Sequence, residues 1–148
     1  MKNQSWPLLK KLKAAIRTAP VSLHDLVSQI QVVLLQQAIE KKSLIINDVD
    51  KTHSIPVDND VLAYILGSIM SNAVCSTSDC CIRVETVQLD NSIEVSVRNN
   101  GTFSYNSAMK SIGPIADAAR KIGAHIGIEN KENYGMSVVL SIATRVAA

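Results

Sequence analysis

The stretch Val57–Thr77, VDNDVLAYILGSIMSNAVCST, decides the fold class. Asp58 places a side-chain acceptor just ahead of an apolar run, which predicts a helix N-cap. Behind it Val61, Leu62, Ile65, Leu66, Ile69 and Ala73 recur at helical spacing and draw one apolar stripe along the helix. Such a stripe has to lie on another layer. Asn72 sits near the helix end and is read as facing that layer. Beyond the helix the period changes from 3.6 to 2. Ile82, Val84 and Thr86 alternate with charged or polar residues, and Ile93, Val95 and Val97 do so again after Asp90 and Asn91, which predicts a β-hairpin.

Working outward toward the N-terminus, Ser22 is an N-cap candidate, with Asp25 three residues on and Val21 placed to staple onto Leu26. The helix it opens runs to about Lys42, with Leu23, Leu26, Val27, Ile30, Leu34, Ala38 and Ile39 as its apolar face. Ser43–Val49 then reads as a strand, residues 50–52 as a turn and His53–Val57 as a short extended piece. Ahead of them, Ser5, Trp6 and Pro7 start a lead-in helix carrying Leu8, Leu9, Leu12, Ala15 and Ile16, which Pro20 stops. Toward the C-terminus, a helix is expected from Pro114, whose missing N–H is harmless in a first turn, to about Gly123. Strands at His125–Asn130 and Met136–Ala143 close the chain. This order predicts an α+β fold, a two-layer sandwich of a mixed, largely antiparallel sheet with helices on one face. Residues 1–20 form a lead-in and residues 21–148 one domain.

Composition narrows the function classes. The 148 residues are 47% hydrophobic and 19% charged, which suits a single domain with an ordinary core. Aromatics make up only 3%, too few for stacked-base platforms, so a nucleic-acid partner is not expected. The net charge of +2 hides a split: +5 up to Lys42 and −3 beyond it. Lys10, Lys11, Lys13 and Arg17 are best read as the solvated face of the lead-in helix. No run approaches the roughly 18 apolar residues of a membrane span, and the first residues lack a signal-peptide core, so a cytoplasmic location is expected. Cys75, Cys80 and Cys81 form no disulfide framework, and His24, His53 and His125 are too scattered to complete a zinc site with them.

The order of elements and three local motifs resemble the catalytic, ATP-binding domain of sensor histidine kinases, in the superfamily shared with gyrase and MutL. The likeness covers nearly all of residues 21–144. The helix and strand of residues 20–49 resemble the domain's first long helix and strand. Val57–Thr77 resembles the helix carrying the N box, with Asp58 and Asn72 at the family's spacing. Val97-Arg98-Asn99-Asn100-Gly101 resembles the first glycine box, and Gly123–Thr144 the closing hairpin. The resemblance implies ATP and Mg²⁺ as cofactors. It makes Asn72 the Mg²⁺ ligand through the nucleotide, and Asn99, Gly101, Phe103 and Gly113 the remaining nucleotide-binding positions. An amide oxygen suits a hard cation that bridges phosphates.

The sequence also departs from the pattern. Asn99 stands where the family places an acid that accepts a hydrogen bond from the adenine amino group, and a neutral acceptor binds more weakly there. Phe103 replaces the second glycine of that box. Only Ser111-Ile112-Gly113-Pro114 remains of the second glycine box, with proline removing a backbone donor, and the interval after Gly101 is too short for a full lid. Ser68 occupies the position where hydrolytic branches carry a glutamate base. Cys75 replaces a basic residue, which removes a phosphate-neutralising charge. No catalytic residue is assigned.

Phosphoryl transfer in this family also needs an acceptor histidine on upstream dimerisation helices. His24-Asp25-Leu26 superficially resembles an acceptor box but falls on the first helix of the domain itself. The resemblance therefore implies two readings. One is the ATP-binding domain of a two-component kinase, phosphorylating a histidine outside this chain and served by dimerisation helices and a response regulator, with any membrane attachment lying upstream. The alternative is a pseudo-catalytic domain of the same fold, acting as a docking or phosphorelay module. A homodimer is compatible with either.

Overall fold

The computed structural model describes residues 20–100, 105–131 and 135–144; the expected lead-in helix lies outside them. The described residues form three helices, α1 (Leu23–Glu40), α2 (Asn59–Cys75) and α3 (Tyr105–Lys121). Seven strands accompany them: β1 (Val21–Ser22), β2 (Leu44–Asp48), β3 (Ser54–Ile55), β4 (Cys81–Gln88), β5 (Ser92–Asn99), β6 (Ala124–Lys131) and β7 (Gly135–Ala143). β1 and β3 make a two-stranded antiparallel sheet, in which Ser22 pairs with Ser54 and Val21 with Ile55. The main sheet has the order β2-β4-β5-β7-β6. β2 runs parallel to β4, and every other pair is antiparallel. This is the α+β sandwich that the sequence predicts.

Period-2 patterning decides which face of the sheet is covered. Ile82 and Val84 of β4, Ile93, Val95 and Val97 of β5, and Val138, Leu140 and Ile142 of β7 all point to one side and are buried. They share a single core with Leu26, Val27 and Ile30 of α1, Leu62, Ile65, Leu66 and Ile69 of α2, and Ile115 and Ala119 of α3. The intervening residues Arg83, Glu85, Glu94 and Arg98 lie on the opposite, partly exposed face. Arg83 and Arg98 are direct cross-strand neighbours, a repulsive pairing. Glu85 relieves it by holding Arg98 at 2.7 Å and Arg83 at 3.7 Å, while Asp48 takes Arg83 at 3.0 Å.

The helix starts follow their caps. Ser22 Oγ accepts from the Asp25 N–H at 3.3 Å, and Asp58 Oδ1 accepts from Asp60 and Val61. α1 ends in crossed backbone bonds, Ser43 N–H to Ala38 O at 2.8 Å and Lys42 N–H to Ile39 O at 3.0 Å, with Lys42 in the left-handed region at φ 52°. That reversal delivers the chain into β2. Ile39 departs from the expected apolar face of α1: it is 65% exposed, because it sits on the side of the helix away from Leu34 and Ala38.

The largest correction concerns α3. It starts at Tyr105, not at Pro114, and Pro114 lies within it. Ile112, Ile115, Ala119 and Ile122 keep helical spacing on the core side, and this burial outweighs the proline. Lys110, whose carbonyl loses its usual donor to the ring, and Pro114 itself are both exposed, which leaves this side of the helix open to solvent. Only residues 100–104 separate β5 from α3.

Two glycines bracket the energetics of α3. Gly123 follows it at φ 69°, a conformation that penalises any β-carbon, whereas a β-carbon added at Gly113 inside the helix meets nothing within 4 Å. Gly123→Ala should lower the free energy of unfolding by roughly 1 kcal/mol. Gly113→Ala should raise it by about 0.5–1 kcal/mol. Urea midpoints at constant slope check both signs.

Candidate functional site

α2 supplies the site by having two faces. Leu62, Ile65, Leu66, Ile69, Met70, Ala73 and Val74 are buried against the sheet and neighbouring helices. The side turned away from them carries small and polar residues: Ala63, Gly67, Ser68, Ser71 and Asn72, with Tyr64 and Cys75 at its edge. Together with Pro114 and Ile115 of α3 they line an open groove of about 630 Å³. Its volume falls within the usual range for small-molecule sites, roughly 300–1,000 Å³.

Asn72 lies in this groove and is half-buried, not aimed at the sheet as its position near the helix end implied. Its Oδ1 takes a long 3.4 Å hydrogen bond from the exposed Ser76 hydroxyl, while its carbonyl caps the helix by accepting from Ser76 N–H. Ser68 donates its hydroxyl to the Tyr64 carbonyl at 2.7 Å, the usual way a helical serine satisfies itself. Cys75 is exposed, and its Sγ points to Gln37 of α1 at 3.8 Å.

Asn99 is handled differently. It ends β5 on the core face, 2% exposed, and donates from Nδ2 to Thr77 Oγ1 at 3.0 Å. Thr77, also buried, passes its own hydroxyl proton to the Ala73 carbonyl at 2.8 Å. This chain fixes the last turn of α2 to the end of β5. It also orients the Asn99 amide. Asn100 seals the adjacent strand end by accepting from Cys81 N–H at 2.8 Å. Sequence reasoning passed over Thr77: it follows the helix, outside any period, and only its pairing across 22 residues gives it a role.

Among the expected site residues, then, Asn72 lines the groove and Asn99 is anchored to the end of the same helix. Gly101 and Phe103 lie outside the described residues. Gly113 is exposed inside α3, next to groove-lining Pro114, and not at a helix start. Interior helix N–H groups are consumed by the i to i−4 ladder, so Gly113 is in no position to offer the phosphate donor expected of a glycine box. His24 contacts Asp25 at 3.5 Å on α1, away from the groove. His53 holds Thr86 Oγ1 at 2.8 Å and pins the turn before β3. In that turn, hydrogen bonds from the Thr52 side chain and backbone hold the Asp50 carboxyl below its ordinary range.

The lining suits parts of a magnesium nucleotide. Tyr64, Ala63, Pro114 and Ile115 offer apolar surface for a base, and the Asn72 amide oxygen is a hard-cation ligand. No lysine or arginine is among the described lining residues, so a triphosphate would meet no protein cation there. Arg83 and Arg98 are committed to carboxylates on the far face of the sheet.

No family model matches the sequence, and no curated protein is similar to it in sequence. Solved structures are similar in fold. The catalytic domain of histidine kinase ThkA superposes with a TM-score of 0.71 at 15% identity, over 85% of this chain and 95% of that one. ThkA in complex with the response regulator protein TrrA gives 0.71 at 14%, over 98% of this chain and 53% of that one. Full-length ShkA in complex with AMPPNP gives 0.73 at 20%, over 88% of this chain and 32% of that one.

Breaking the Thr77 link tests the geometry directly. Thr77→Val keeps the shape but strands the buried Asn99 donor, and should cost about 1–3 kcal/mol in urea unfolding. A loss under 0.5 kcal/mol would mean that the amide finds another acceptor at no expense. The chain thus has the fold of the catalytic domain of sensor histidine kinases, with Asn72 in an open groove between α2 and α3.

Proposed function

We propose that this chain is the nucleotide-holding domain of a two-component sensor histidine kinase, with the groove between α2 and α3 as the place of Mg²⁺-ATP. The observation that carries the reading is Asn72, which lines a groove of nucleotide size in a fold shared with such domains. In this reading Asn72 holds Mg²⁺, and Asn99, oriented by Thr77, contributes an acceptor toward the adenine amino group. Gly101 and Phe103 are the remaining nucleotide-binding positions of this reading. Gly113 has only a helical role. When bound, the nucleotide supplies the γ-phosphoryl group. Ser68 has its hydroxyl turned back to the helix and provides no base for water; in this reading the acceptor is a histidine outside this chain. The partners are dimerisation and acceptor helices and a response regulator, in the cytoplasm.

A second reading, a docking or phosphorelay domain without productive ATP binding, is favoured by one observation. The described groove lining contains no cation, and Cys75 holds the position of the family's basic residue. Charge-assisted hydrogen bonds contribute about 1.5–3 kcal/mol each, so the loss of one weakens a phosphate site by at least about tenfold.

Calorimetric titration with Mg²⁺-ATP separates the two. The first reading expects heat at up to millimolar nucleotide, Asn72→Ala abolishing its Mg²⁺ dependence, and Cys75→Arg tightening binding by about tenfold or more. If Phe103 crowds the purine, Phe103→Gly also tightens it. No heat with the wild type or with Cys75→Arg overturns nucleotide binding and leaves the docking reading.

A further inference from the structure

β6 is one edge of the main sheet, and among the described residues no strand meets its outer side. The phase of the ladder shows which groups it leaves there. Ala143 N–H donates to the Gly123 carbonyl at 3.4 Å, so in this antiparallel pair His125, Gly127 and Glu129 bond β7, while Ala124, Ile126, Ile128 and Asn130 turn their backbone groups outward. Such an edge is a template for another strand unless it is blunted. The opposite edge is blunted: β2 is only five residues long, and Gln31 donates to its Ile45 carbonyl at 2.9 Å. β6 is eight residues long and carries no proline, lysine or arginine from Ala124 to Asn130.

The strand is also complementary to itself. An antiparallel copy turned about a two-fold axis at Gly127 sets Ile126 against Ile128 and His125 against Glu129. The ladder phase agrees with that register, because outward residues then meet outward residues and the Ile126–Ile128 pair exchanges both of its backbone hydrogen bonds. A slip by one residue sets outward against inward and loses them. We propose that β6 is the pairing edge for a second copy of this chain, antiparallel about Gly127, joining two five-stranded sheets into one. The inference does not depend on what the Asn72 groove binds.

Both faces of the strand favour this occupant. On the core side Ile126 and Ile128 are half-buried and pack against the core, and a pocket of about 190 Å³ lies between α3 and β6, with Ala116, Ala119, Ala124 and Ile126 in its lining. Ile128 of the second copy lands beside Ile126 at this pocket and continues the apolar layer across the axis. On the other side His125 and Glu129 are exposed, and symmetry brings an imidazole donor to a carboxylate twice. Glu129 also has a partner within its own chain, and a carboxylate accepts more than one donor. Gly127 faces its own copy as a non-hydrogen-bonded pair, with α-carbons about 4.5 Å apart. A partner strand of unrelated sequence would take up the backbone groups but not these matched pairs.

Sedimentation equilibrium of the full chain, up to millimolar concentration, reads the pairing as a reversible dimer. Gly127→Lys sets two ammonium groups face to face on the axis and should raise the dimer dissociation constant at least about tenfold. A β-carbon at this exposed position meets nothing within 4 Å, so the monomer keeps its fold. Glu129→Lys should weaken the dimer in the same direction, and adding His125→Glu to it, which restores opposite charges across the axis, should recover the affinity. Gly127→Cys, oxidised with diamide, should give a crosslink that peptide mapping places between the two copies of position 127, since the α-carbon separation lies within the usual disulfide range of about 4.4–6.8 Å. A chain that stays monomeric throughout overturns the proposal. So does a dimer that Gly127→Lys leaves intact, or one that Val33→Asp on the exposed face of α1 abolishes in its place.

Discussion

The burial of one side of α2 is the constraint from which the rest of the structure follows. Seven of its residues, from Leu62 to Val74, sit in the core. Each large aliphatic side chain so buried contributes about 1.5–3 kcal/mol before ordering costs are counted. No other orientation of the helix recovers that energy. The rotation of α2 about its axis is therefore fixed, and with it the direction of every residue on the opposite side. Asn72 faces the groove because Ala73 and Val74 must face the core. The Thr77–Asn99 bond then fixes the remaining freedom, the position of the helix end relative to β5. Core packing sets the rotation and a buried polar link sets the end, so the last turn of α2 is the best-determined part of the candidate site.

The same division explains what could be read from the sequence. Where one physical signal dominates, the reading is right: the caps at Ser22 and Asp58, the stripe of α2, and the alternation of β4 and β5 are all local and redundant. Where two signals compete, tertiary context decides. At α3 the proline marks a helix start in isolation, but Ile112, Ile115 and Ala119 bind the segments on both sides of it to one surface, and the helix continues through. Ile39 fits the helical period as well as Ala38 does, yet only Ala38 faces the core. The β1–β3 pair joins two-residue strands separated by α1 and β2 in the chain, too short for any periodicity to reveal.

Site residues divide in the same way. Asn72 was read as facing the sheet from its place near the helix end, whereas the burial of its neighbours Ala73 and Val74 turns it into the groove. Asn99 was legible as the end of an alternating strand, but its partner was not. Thr77 acquires meaning only once the strand end is brought to the helix exit, a long-range event with no local signature. Gly113 was expected just ahead of a helix start and lies inside α3 instead. A glycine before a proline reads as a hinge or cap ahead of a helix; inside α3 its N–H belongs to the helix ladder.

The distribution of cations bears on how such a groove could work. The outer sheet face needs its arginines: Arg83 and Arg98 are cross-strand neighbours, and the two carboxylates that reconcile them also hold them there. Neither can be lent to the helix side, because the sheet lies between. The groove lining itself offers dipoles, hydroxyls, a thiol and one amide. A triphosphate carries several negative charges, and in a groove this open water screens them in place of the protein. Any magnesium held by Asn72 would then be the largest local positive charge, and affinity for nucleotide would depend on it far more steeply than in a site lined with lysine or arginine. That dependence follows from the composition of the lining alone, whichever partner the domain serves.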